Sequence, residues 1–539
     1  SPLIALMQDQ VEALRQVGAR AAYLNSTLDA AEAANVERQF LEGELDLLYV
    51  APERLLTPRF LSLLDRARVA LFAIDEAHCV SQWGHDFRPE YRQLAVLHER
   101  WPDVPRVALT ATADAPTRRE IVERLGLDHA RQFVSSFDRP NIRYTVVPKD
   151  GGTRQLLDFL TRHPSQSGIV YALSRKRVES VAEQLAKSGI RALAYHAGME
   201  ATVRAANQRR FLQEDGIVMV ATIAFGMGID KPDVRFVAHV DLPKSVEGYY
   251  QETGRAGRDG DPAEAWLSYG LGDVVSLRQM IEQGDASGER KQLELRKLDA
   301  LLGYCESTGC RRQALLRWFG EEREDLCGNC DNCLDPPQSW DGTDAARKAL
   351  SCIFRTGQRF GVGHLVDVLR GTRTDKVLQF RHESLSTFGI GADLDDRQWR
   401  SVFRQLVAGG LVEVDVEHYG ALRLGEASRP VLRGEAQLRL RSEPKAVSRG
   451  RRERRASEAE ALDLDAAGLA RFQSLRDWRA QTAREQNVPA YVIFHDATLR
   501  AIAEADPADL DDLARIPGIG ATKLSRYGEA VLQQLFDAA

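Results

Sequence analysis

The sequence lacks the features that would assign it to a membrane protein or a secreted protein. It contains no run of about 18 apolar residues, so no segment is predicted to span a bilayer. No signal-peptide pattern is visible, and the chain has only seven cysteines in 539 residues. Four of these cysteines fall close together, which favours a metal site over disulfides. The cytoplasm is therefore the expected compartment.

An excess of basic residues is also missing. The formal net charge is −6, which argues weakly against nucleic-acid binding but does not exclude a local basic surface. One such stretch, residues 445–455, contains a single acid, Glu453. Two interpretations stay open, a solvated linker and a contact surface for phosphates. Its basic residues are Lys445, Arg449, Arg451, Arg452, Arg454 and Arg455.

What is present indicates several domains. A chain of 539 residues is too long for one core, and we expect three to five domains at about 100–200 residues each. Up to about residue 272, short β-branched apolar runs alternate with helical stretches such as 175–187, a pattern typical of parallel sheets covered by helices. A polar, extended piece at 136–141 separates two such blocks. The predicted strands are 45–50, 69–74, 106–109, 168–172, 217–221 and 236–240.

The second half of the chain has a different pattern. A leucine-rich helical stretch leads to the cysteine cluster, and Pro336-Pro337 marks a boundary after it. Residues 341–440 mix helices with strands at 411–416 and 421–424, as in a small α/β or winged-helix module. The final stretch is almost wholly helical. We predict α/β lobes at 1–137 and 138–272, then a cysteine module at 273–338, a winged helix at 339–440, a linker at 441–463 and a helical domain at 464–539.

An acidic motif follows the predicted strand that ends at Ile74. Asp75 and Glu76 would lie at the carboxyl end of a parallel strand, where such sheets bind ligands. Asp75 would suit a Mg²⁺ ion that bridges the β- and γ-phosphates of a nucleotide, and Glu76 would suit a base for the attacking water. The alternative is two surface acids at a strand end.

A decapeptide in the second lobe, residues 251–260, carries two arginines three residues apart. Arg255 and Arg258 are predicted to share one helical face, from which they would reach a γ-phosphate across a cleft as arginine fingers do. Exposed arginines are more often only solubilising. The acidic motif in the first lobe favours the functional interpretation.

The cysteine cluster has the spacing of a metal site. Cys310 is followed by Cys327, Cys330 and Cys333 in a C-x-x-C-x-x-C run, and four thiolates suit tetrahedral Zn²⁺. The alternative is an iron–sulfur cluster, but that motif continues to a fourth cysteine followed by proline, which is absent here. Cys305 is interpreted as a packed core residue.

These motifs together resemble the RecQ family of DNA helicases. Residues 73–89 resemble the family's DEAH motif with its aromatic-rich loop, and further similar stretches occur in family order along the whole chain. The resemblance implies two RecA-like lobes, the first incomplete, then a zinc module, a winged helix and an all-helical HRDC domain. The other matching stretches are 1–10, 51–54, 108–113, 195–199 and 221–232.

The resemblance also implies roles for single residues. His78 would link the nucleotide site to the DNA-facing loop, where Trp83, Phe87 and Arg88 would sense single-stranded DNA by stacking and charge. Core packing is the alternative for Trp83 and Phe87. The residues expected at ATP and its Mg²⁺ are Asp75, Gly228, Asp230, Gln251, Arg255 and Arg258.

One expected motif is missing. The chain has no Gly-Lys dipeptide, so it contains no GxxxxGK[ST] loop to cradle the phosphates. In RecQ proteins this loop and the adenine-recognition motif precede the segment that begins here with Ser1-Pro2. We expect the first strand and loop of lobe 1 to be absent, and ATP to be bound poorly and hardly hydrolysed. A fragment of an active enzyme is the favoured explanation, and a natural remnant is the other.

The C-terminal modules supply further candidate DNA contacts. In the winged helix, Arg370, Arg373 and Lys376 are candidates for the duplex phosphates, although exposed basic residues are common. In the HRDC-like domain, the backbone amides around Gly518 and Gly520 would accept a phosphate at a helix N-terminus, flanked by Lys523 and Arg526. A helical bundle with a tight glycine turn is the alternative.

The resemblance implies an ATP-dependent 3′→5′ DNA helicase of repair and recombination. Its partners would be single-stranded and forked duplex DNA, with the single-stranded-DNA-binding protein as a candidate protein partner. A monomer in the bacterial cytoplasm, associated with the nucleoid, is expected. The alternative hypothesis is a zinc-containing protein that binds DNA structures and has no motor activity.

Overall fold

The structure is a computed structural model that describes residues 4–25, 27–81, 88–226, 229–415, 420–442, 465–486 and 488–538. Within these ranges, no helix combines the length and apolar character that a membrane crossing requires.

The first lobe is built on two short parallel strand pairs. β1 pairs with β2, and β3 pairs with β4. Its apolar side chains form a core of their own, which includes Phe60, Ile74 and Tyr91. The strands are β1 (Ala21–Leu24), β2 (Leu47–Val50), β3 (Phe72–Ile74) and β4 (Arg106–Ala108). The helices are α1 (Ile4–Gln16), α2 (Ala30–Glu42), α3 (Pro52–Leu55), α4 (Pro58–Leu64), α5 (Pro89–Arg92), α6 (Val96–Arg100) and α7 (Ala115–Arg124), with 3₁₀ turns at Ala77–Val80 and Gln93–Ala95.

The second lobe contains a six-stranded parallel sheet in the order β5-β10-β9-β6-β8-β7. Its central strands are buried along their length, which explains their continuous apolar sequences. The strands are β5 (Ile142–Pro148), β6 (Gly168–Tyr171), β7 (Ala192–Tyr195), β8 (Val218–Ala221), β9 (Phe236–His239) and β10 (Ala263–Tyr269). The helices are α8 (Thr153–Leu160), α9 (Arg175–Lys187), α10 (Ala201–Gln213) and α11 (Val246–Thr253).

The cysteine module and the winged-helix region continue the core of lobe 2. One hydrophobic cluster runs from Ile142 in the sheet through Leu301 to Trp399 and Leu440. The module contains α12 (Leu271–Gln283), α13 (Gly288–Glu306), α14 (Arg311–Trp318) and α15 (Asp331–Leu334). The next region contains β11 (Ser339–Asp341), α16 (Thr343–Arg355), α17 (Val362–Arg370), α18 (Asp375–Gln379), a 3₁₀ turn (His382–Ser384), α19 (Asp396–Ala408), β12 (Val412–Asp415), β13 (Ala421–Leu424), α20 (Ser428–Arg433) and β14 (Arg439–Arg441).

Two antiparallel pairs shape the winged-helix region. β12 pairs with β13, and β11 pairs with β14. Because Arg441 of β14 pairs with Ser339 and Ser442 N donates to Gln338 O at 2.7 Å, the folded region includes the first two residues of the predicted linker. The basic stretch 445–455 lies outside the described residues.

The C-terminal domain is helical, as predicted, and has a separate core around Leu475, Ile502 and Val531. It contacts lobe 2 through two ion pairs, Arg476 with Asp215 at 2.9 Å and Arg500 with Asp261 at 2.8 Å. Its helices are α21 (Ala466–Gln486), α22 (Ala490–Ile493), α23 (Asp496–Ala505), α24 (Leu510–Ala514) and α25 (Ala521–Ala538).

Candidate nucleotide, metal and DNA sites

The acidic motif lies where β3 and β4 end side by side. Leu109 N donates to Ile74 O at 2.8 Å, and Ala77 N donates to Leu109 O at 2.9 Å. These bonds bring Asp75 and Glu76 next to Leu109 and Thr110, the two residues that follow the end of β4. The structure therefore places the predicted acids at the carboxyl edge of a parallel strand pair.

Glu76 has an unusual backbone for a residue other than glycine. Its φ is 51° and its ψ is 42°, in the left-handed region, which costs on the order of 1–3 kcal/mol and is often found at functional sites. Its N–H donates to Asp75 Oδ1 at 2.9 Å. The fully buried His78 holds its side chain, with Nδ1 at 3.3 Å from Glu76 Oε2 and 2.9 Å from Thr110 Oγ1. His78 thus connects the candidate base to the end of the neighbouring strand.

A buried tyrosine fixes the backbone of the other acid. Tyr91 Oη donates to Asp75 O at 2.9 Å, and burial raises the pKa of Tyr91, which keeps this donor protonated. Tyr91 follows the predicted aromatic-rich loop, whose base is closed by a bond from Arg88 N to Cys79 O at 3.0 Å. Arg88 is half-buried beside the acidic motif, whereas Trp83 and Phe87 lie outside the described residues.

The two predicted arginine fingers lie after a helix rather than on one. α11 ends at Thr253, so the expectation of one shared helical face is wrong; consecutive turns carry Arg255 and Arg258. We call residues 254–261 the arginine loop. Its backbone turns sharply at Gly257, whose φ is 56° and whose Cβ, if present, would lie 2.4 Å from Asn141 Nδ2. Glycine is therefore required at this turn.

The two arginines have different surroundings. Arg255 is only 4% exposed, and its Nε has no hydrogen-bond partner among the described residues. Arg258 is exposed and forms an ion pair with Asp230, another predicted nucleotide-site residue. Gln251 is half-buried in the last turn of α11, and Gly228 lies outside the described residues. The loop thus offers one buried and one exposed cation.

Residues 136–141, the polar piece between the lobes, are called the inter-lobe segment. Two of its residues hold the arginine loop, and sequence reasoning missed both. Arg139 donates to the carbonyl oxygens of Gly254, Ala256 and Gly257, and Asn141 Nδ2 donates to Gly257 O. The only sequence signal was the polar character of the 136–141 segment. Nothing in it pointed to partners more than 110 residues away.

The four clustered cysteines converge as predicted. The Sγ atoms of Cys310, Cys327, Cys330 and Cys333 all lie within 4.8 Å of one another, and two of them are 3.8 Å apart. Tetrahedral zinc with Zn–S bonds of about 2.3 Å places its sulfurs about 3.8 Å apart, so the donor set fits Zn²⁺. No disulfide joins any described cysteine, and Cys305 is buried in the core.

Backbone N–H groups donate to two of these sulfurs. Arg311 N donates to Cys330 Sγ, and Asn329 N donates to Cys327 Sγ, each at 3.4 Å. Burial tends to raise the pKa of Cys310, but N–H donors from Gln313 and Cys327 outweigh it and lower that pKa to about 7. Burial outweighs such donors at two of the other sulfurs, where it raises the pKa of Cys327 to about 11 and also raises that of Cys330.

The cysteine pocket is joined to lobe 2 by a buried arginine. The Arg311 side chain is fully buried, and all five of its N–H donors have acceptors on Tyr304, Cys305, Asp331 and Asn332. Asp331 also accepts from Val146 N on β5 at 3.1 Å. A bridge between Tyr144 and Cys330 adds a direct link to the sheet edge.

The candidate DNA contacts on the C-terminal modules differ in exposure. Arg370 and Arg373 are exposed at the end of α17 and in the turn after it, and Lys376 lies over the Phe360 ring at 5.6 Å. In the helical domain, Lys523 is half-buried over Phe494.

The glycine turn of the C-terminal domain precedes α25. A Cβ at Gly518 would lie 2.3 Å from Thr498 Oγ1, so this turn needs glycine for packing. Arg526 reaches Gln16 in lobe 1 at 2.5 Å. Lys523 and Arg526 lie three residues apart on α25, and their contact with a phosphate stays a prediction.

Family comparisons cover nearly the whole chain with five domain families. The DEAD/DEAH box helicase family matches residues 1–121, and the helicase conserved C-terminal domain matches 152–260. The RecQ zinc-binding family matches 271–334, the RQC domain 336–449 and the HRDC domain 468–535.

Curated relatives match over the same extent. The ATP-dependent DNA helicase RecQ of Pasteurella multocida is 46% identical over 539 residues, covering 99% of this chain and 84% of that protein. The protein of the same name from Haemophilus influenzae is 44% identical, with 98% and 85% covered. That from Bacillus subtilis is 37% identical, with 99% and 88% covered.

Proposed function

Because the chain belongs to the RecQ family of ATP-dependent DNA helicases, we propose that its two lobes act on one ATP while its C-terminal modules hold the DNA. The chemistry is phosphoryl transfer to water coupled to strand separation. The 3′→5′ polarity is part of this proposal.

Lobe 1 supplies the groups that activate water. Asp75 would hold Mg²⁺, which neutralises developing phosphate charge when bound. Glu76 accepts the proton of the attacking water, and its carboxylate is oriented by His78. The single observation that carries the proposal is this arrangement, in which a left-handed backbone places Glu76 between Asp75 and a buried histidine.

Lobe 2 supplies positive charge for the phosphates. Arg255 is buried, and its Nε has no hydrogen-bond partner among the described residues, so an anionic ligand would satisfy a donor that is costly to bury alone. Arg258 is paired with Asp230 and would exchange this exposed carboxylate for phosphate when the lobes close. The two arginines thus have distinct roles, one in shaping the site and one in closing it.

DNA contact is linked to the acids through His78 and Cys79. Because Arg88 N is bonded to Cys79 O, the base of the loop with Trp83 and Phe87 is directly attached to the DEAH turn. DNA bound near Arg88 would therefore act, through Cys79, on the turn that carries Glu76. Arg370, Arg373, Lys523 and Arg526 are proposed as phosphate contacts elsewhere.

The protein would act as a monomer in the bacterial cytoplasm, at the nucleoid, with forked DNA and the single-stranded-DNA-binding protein as partners. Measuring its mass in solution with and without forked DNA would test whether the protein is a monomer. A dimer under both conditions would contradict it.

The test is ATP hydrolysis with and without single-stranded DNA. Two chains are compared: the 539-residue chain, and the same chain extended ahead of Ser1 by the family's phosphate-binding loop and adenine-recognition motif, hereafter the loop-extended chain. We expect DNA-stimulated hydrolysis by the loop-extended chain. Glu76→Gln should lower it at least about 100-fold, because a general base contributes at least that factor.

DNA binding should survive the Glu76→Gln substitution, and Glu44→Gln on the surface of lobe 1 is the matched control. Loss of both hydrolysis and DNA binding would exclude Glu76 as the base. If the loop-extended chain binds forked DNA but hydrolyses no ATP, the protein is a zinc-containing DNA-binding protein without motor activity.

A further inference from the structure

Arg139 uses its charge in an uncommon way. Among the described residues it forms no ion pair with a carboxylate, although it is half-buried. Its guanidinium donates instead to three carbonyl oxygens, with Nη1 at 2.9 Å from Gly254 O and Nη2 at 2.9 Å and 3.0 Å from Ala256 O and Gly257 O. Three carbonyls on one cation fix a backbone more firmly than neutral bonds would.

The identity of those carbonyls matters more than their number. The Gly254 carbonyl belongs to the peptide unit that continues into Arg255, and the Gly257 carbonyl belongs to the unit that continues into Arg258. Since a peptide unit is planar, fixing its oxygen also fixes the direction in which the next residue leaves. Arg139 thereby sets the starting geometry of both candidate arginine fingers.

A second donor supports the same turn from the other side. Asn141 Nδ2 donates to Gly257 O and to Asp261 O, both at 2.8 Å. Together, Arg139 and Asn141 donate hydrogen bonds to carbonyl oxygens from Gly254, the first residue of the arginine loop, to Asp261, its last. The proposed function alone does not explain why two side chains of the inter-lobe segment, Arg139 and Asn141, bind the arginine loop.

The zinc module holds Arg139 on both flanks. Before it, Asp138 pairs with Arg312 at 3.3 Å and with Arg323. After it, Pro140 O accepts from Arg312 at 3.2 Å and from Asn329 at 3.3 Å. Asn329 lies between two zinc ligands, so the metal site indirectly fixes Arg139.

Aromatic packing reinforces this attachment. Phe137 stacks on Phe319 with ring centroids 4.6 Å apart, and Tyr250 of α11 donates to Phe137 O at 2.9 Å. The inter-lobe segment is thus packed between the zinc module and the helix that leads into the arginine loop.

We propose that Arg139 is a positioning residue, which holds the arginine loop so that Arg255 and Arg258 meet the γ-phosphate in the transition state. This inference rests on the proposed function. Arg139 itself does not touch ATP, and its effect should appear in kcat rather than in KM, because arginine fingers act on charge that develops during the reaction.

The experiment compares Arg139→Lys with the unsubstituted loop-extended chain. Lysine keeps the charge but not the planar fork that reaches three carbonyls. We expect kcat to fall on the order of 10- to 100-fold, the effect of a misplaced catalytic group, while KM for ATP stays within about twofold. Hydrogen exchange of the amides at 254–261 should rise in the same variant, even without nucleotide.

Arg162→Lys is the matched control, because Arg162 lies in the same lobe and contacts Glu264 and Phe159 rather than the loop. If Arg139→Lys loses its fold, which would be seen as loss of bound zinc, Asn141→Ser is measured in its place. The same result is expected, a lower kcat with a nearly unchanged KM for ATP. An unchanged kcat in Arg139→Lys, or an equal fall of kcat in Arg162→Lys, overturns this inference but leaves the proposed function intact. Absence of hydrolysis in the unsubstituted chain overturns it together with the proposed function.

Discussion

The two lobes carry their functional groups in different ways. In lobe 1, the acids directly follow a short strand of a pair whose apolar side chains belong to a core of that lobe only. In lobe 2, the arginine loop belongs to a body with two hydrophobic clusters, and the larger one extends through the zinc module into the winged helix. One lobe is a small independent unit and the other is part of a larger one.

This difference indicates how motion at the nucleotide would reach the DNA. If ATP draws the acids and arginines together, lobe 1 moves against a body that already includes the zinc module and the winged helix. A movement of that body would carry the winged helix with it, since their cores are continuous. The following predictions test this division, beginning with the largest expected effect.

Loss of zinc should damage the lobe 2 body and spare lobe 1. Cys330→Ser removes a buried ligand, and metal binding contributes roughly 10–16 kcal/mol to folding in small zinc domains. We expect zinc content to fall to background and hydrogen exchange to rise in β5 and in residues 136–141. Amides around Phe60 and Tyr91 in lobe 1 should be unaffected.

The matched control is Cys79→Ser, which alters a buried cysteine of lobe 1 and should leave zinc content unchanged. Retained zinc in Cys330→Ser would contradict the four-cysteine site. An equal rise of exchange in both lobes would contradict the separation of their cores.

Replacing the buried arginine of the zinc module should have the next largest effect. Arg311→Met leaves Asp331 and two backbone carbonyls without their donor, and breaking such a buried pair costs about 3–5 kcal/mol. The free energy of unfolding measured in urea should fall by that amount. Arg317→Met, an exposed change on the same helix, should cost little, and equal losses would show that the Arg311 network has no special role.

A smaller effect is expected from pH in the winged helix. His364 Nε2 and His382 Nδ1 are 2.7 Å apart, and both rings are buried. Burial, His382 and Lys376 lower the pKa of His364 to about 4, and burial and Arg359 lower that of His382 against the opposing charge of Glu383. The folded state therefore takes up protons at lower pH than the unfolded chain.

Because the unfolded chain protonates near its ordinary pKa, stability should be full above about pH 6.5 and lost progressively as pH falls towards 4. Urea unfolding at pH 7.5, 6 and 5, followed by exchange in α16 to α19, would measure this. His364→Gln should flatten the pH dependence between 6.5 and 4. An unchanged slope in that variant would assign the pH effect to other groups.

The sequence predicted the elements better than it predicted their assembly. Helix α9 begins and ends where expected because Ser174 caps its first turn and its buried face recurs at helical spacing. The zinc ligands were found because their spacing is local. The shared helical face of Arg255 and Arg258 was wrong, since α11 stops at Thr253.

The contacts of Arg139 were not predictable from the sequence, because its acceptors are backbone carbonyls, which have no sequence signature. The reach of Arg526 to Gln16 in lobe 1 was missed for a related reason, as it depends on how separate domains pack. Local patterns therefore identified the groups, and tertiary packing decided which groups meet.

The most direct test of a nucleotide site shared between the lobes is the distance between them. Fluorescent labels at the exposed positions 68 and 187 of the loop-extended chain would report it. We predict that a non-hydrolysable ATP analogue with single-stranded DNA shortens this distance, and that Arg258→Ala binds the analogue without the full shortening. An unchanged distance with nucleotide bound, or equal closure in Arg258→Ala, would contradict the account.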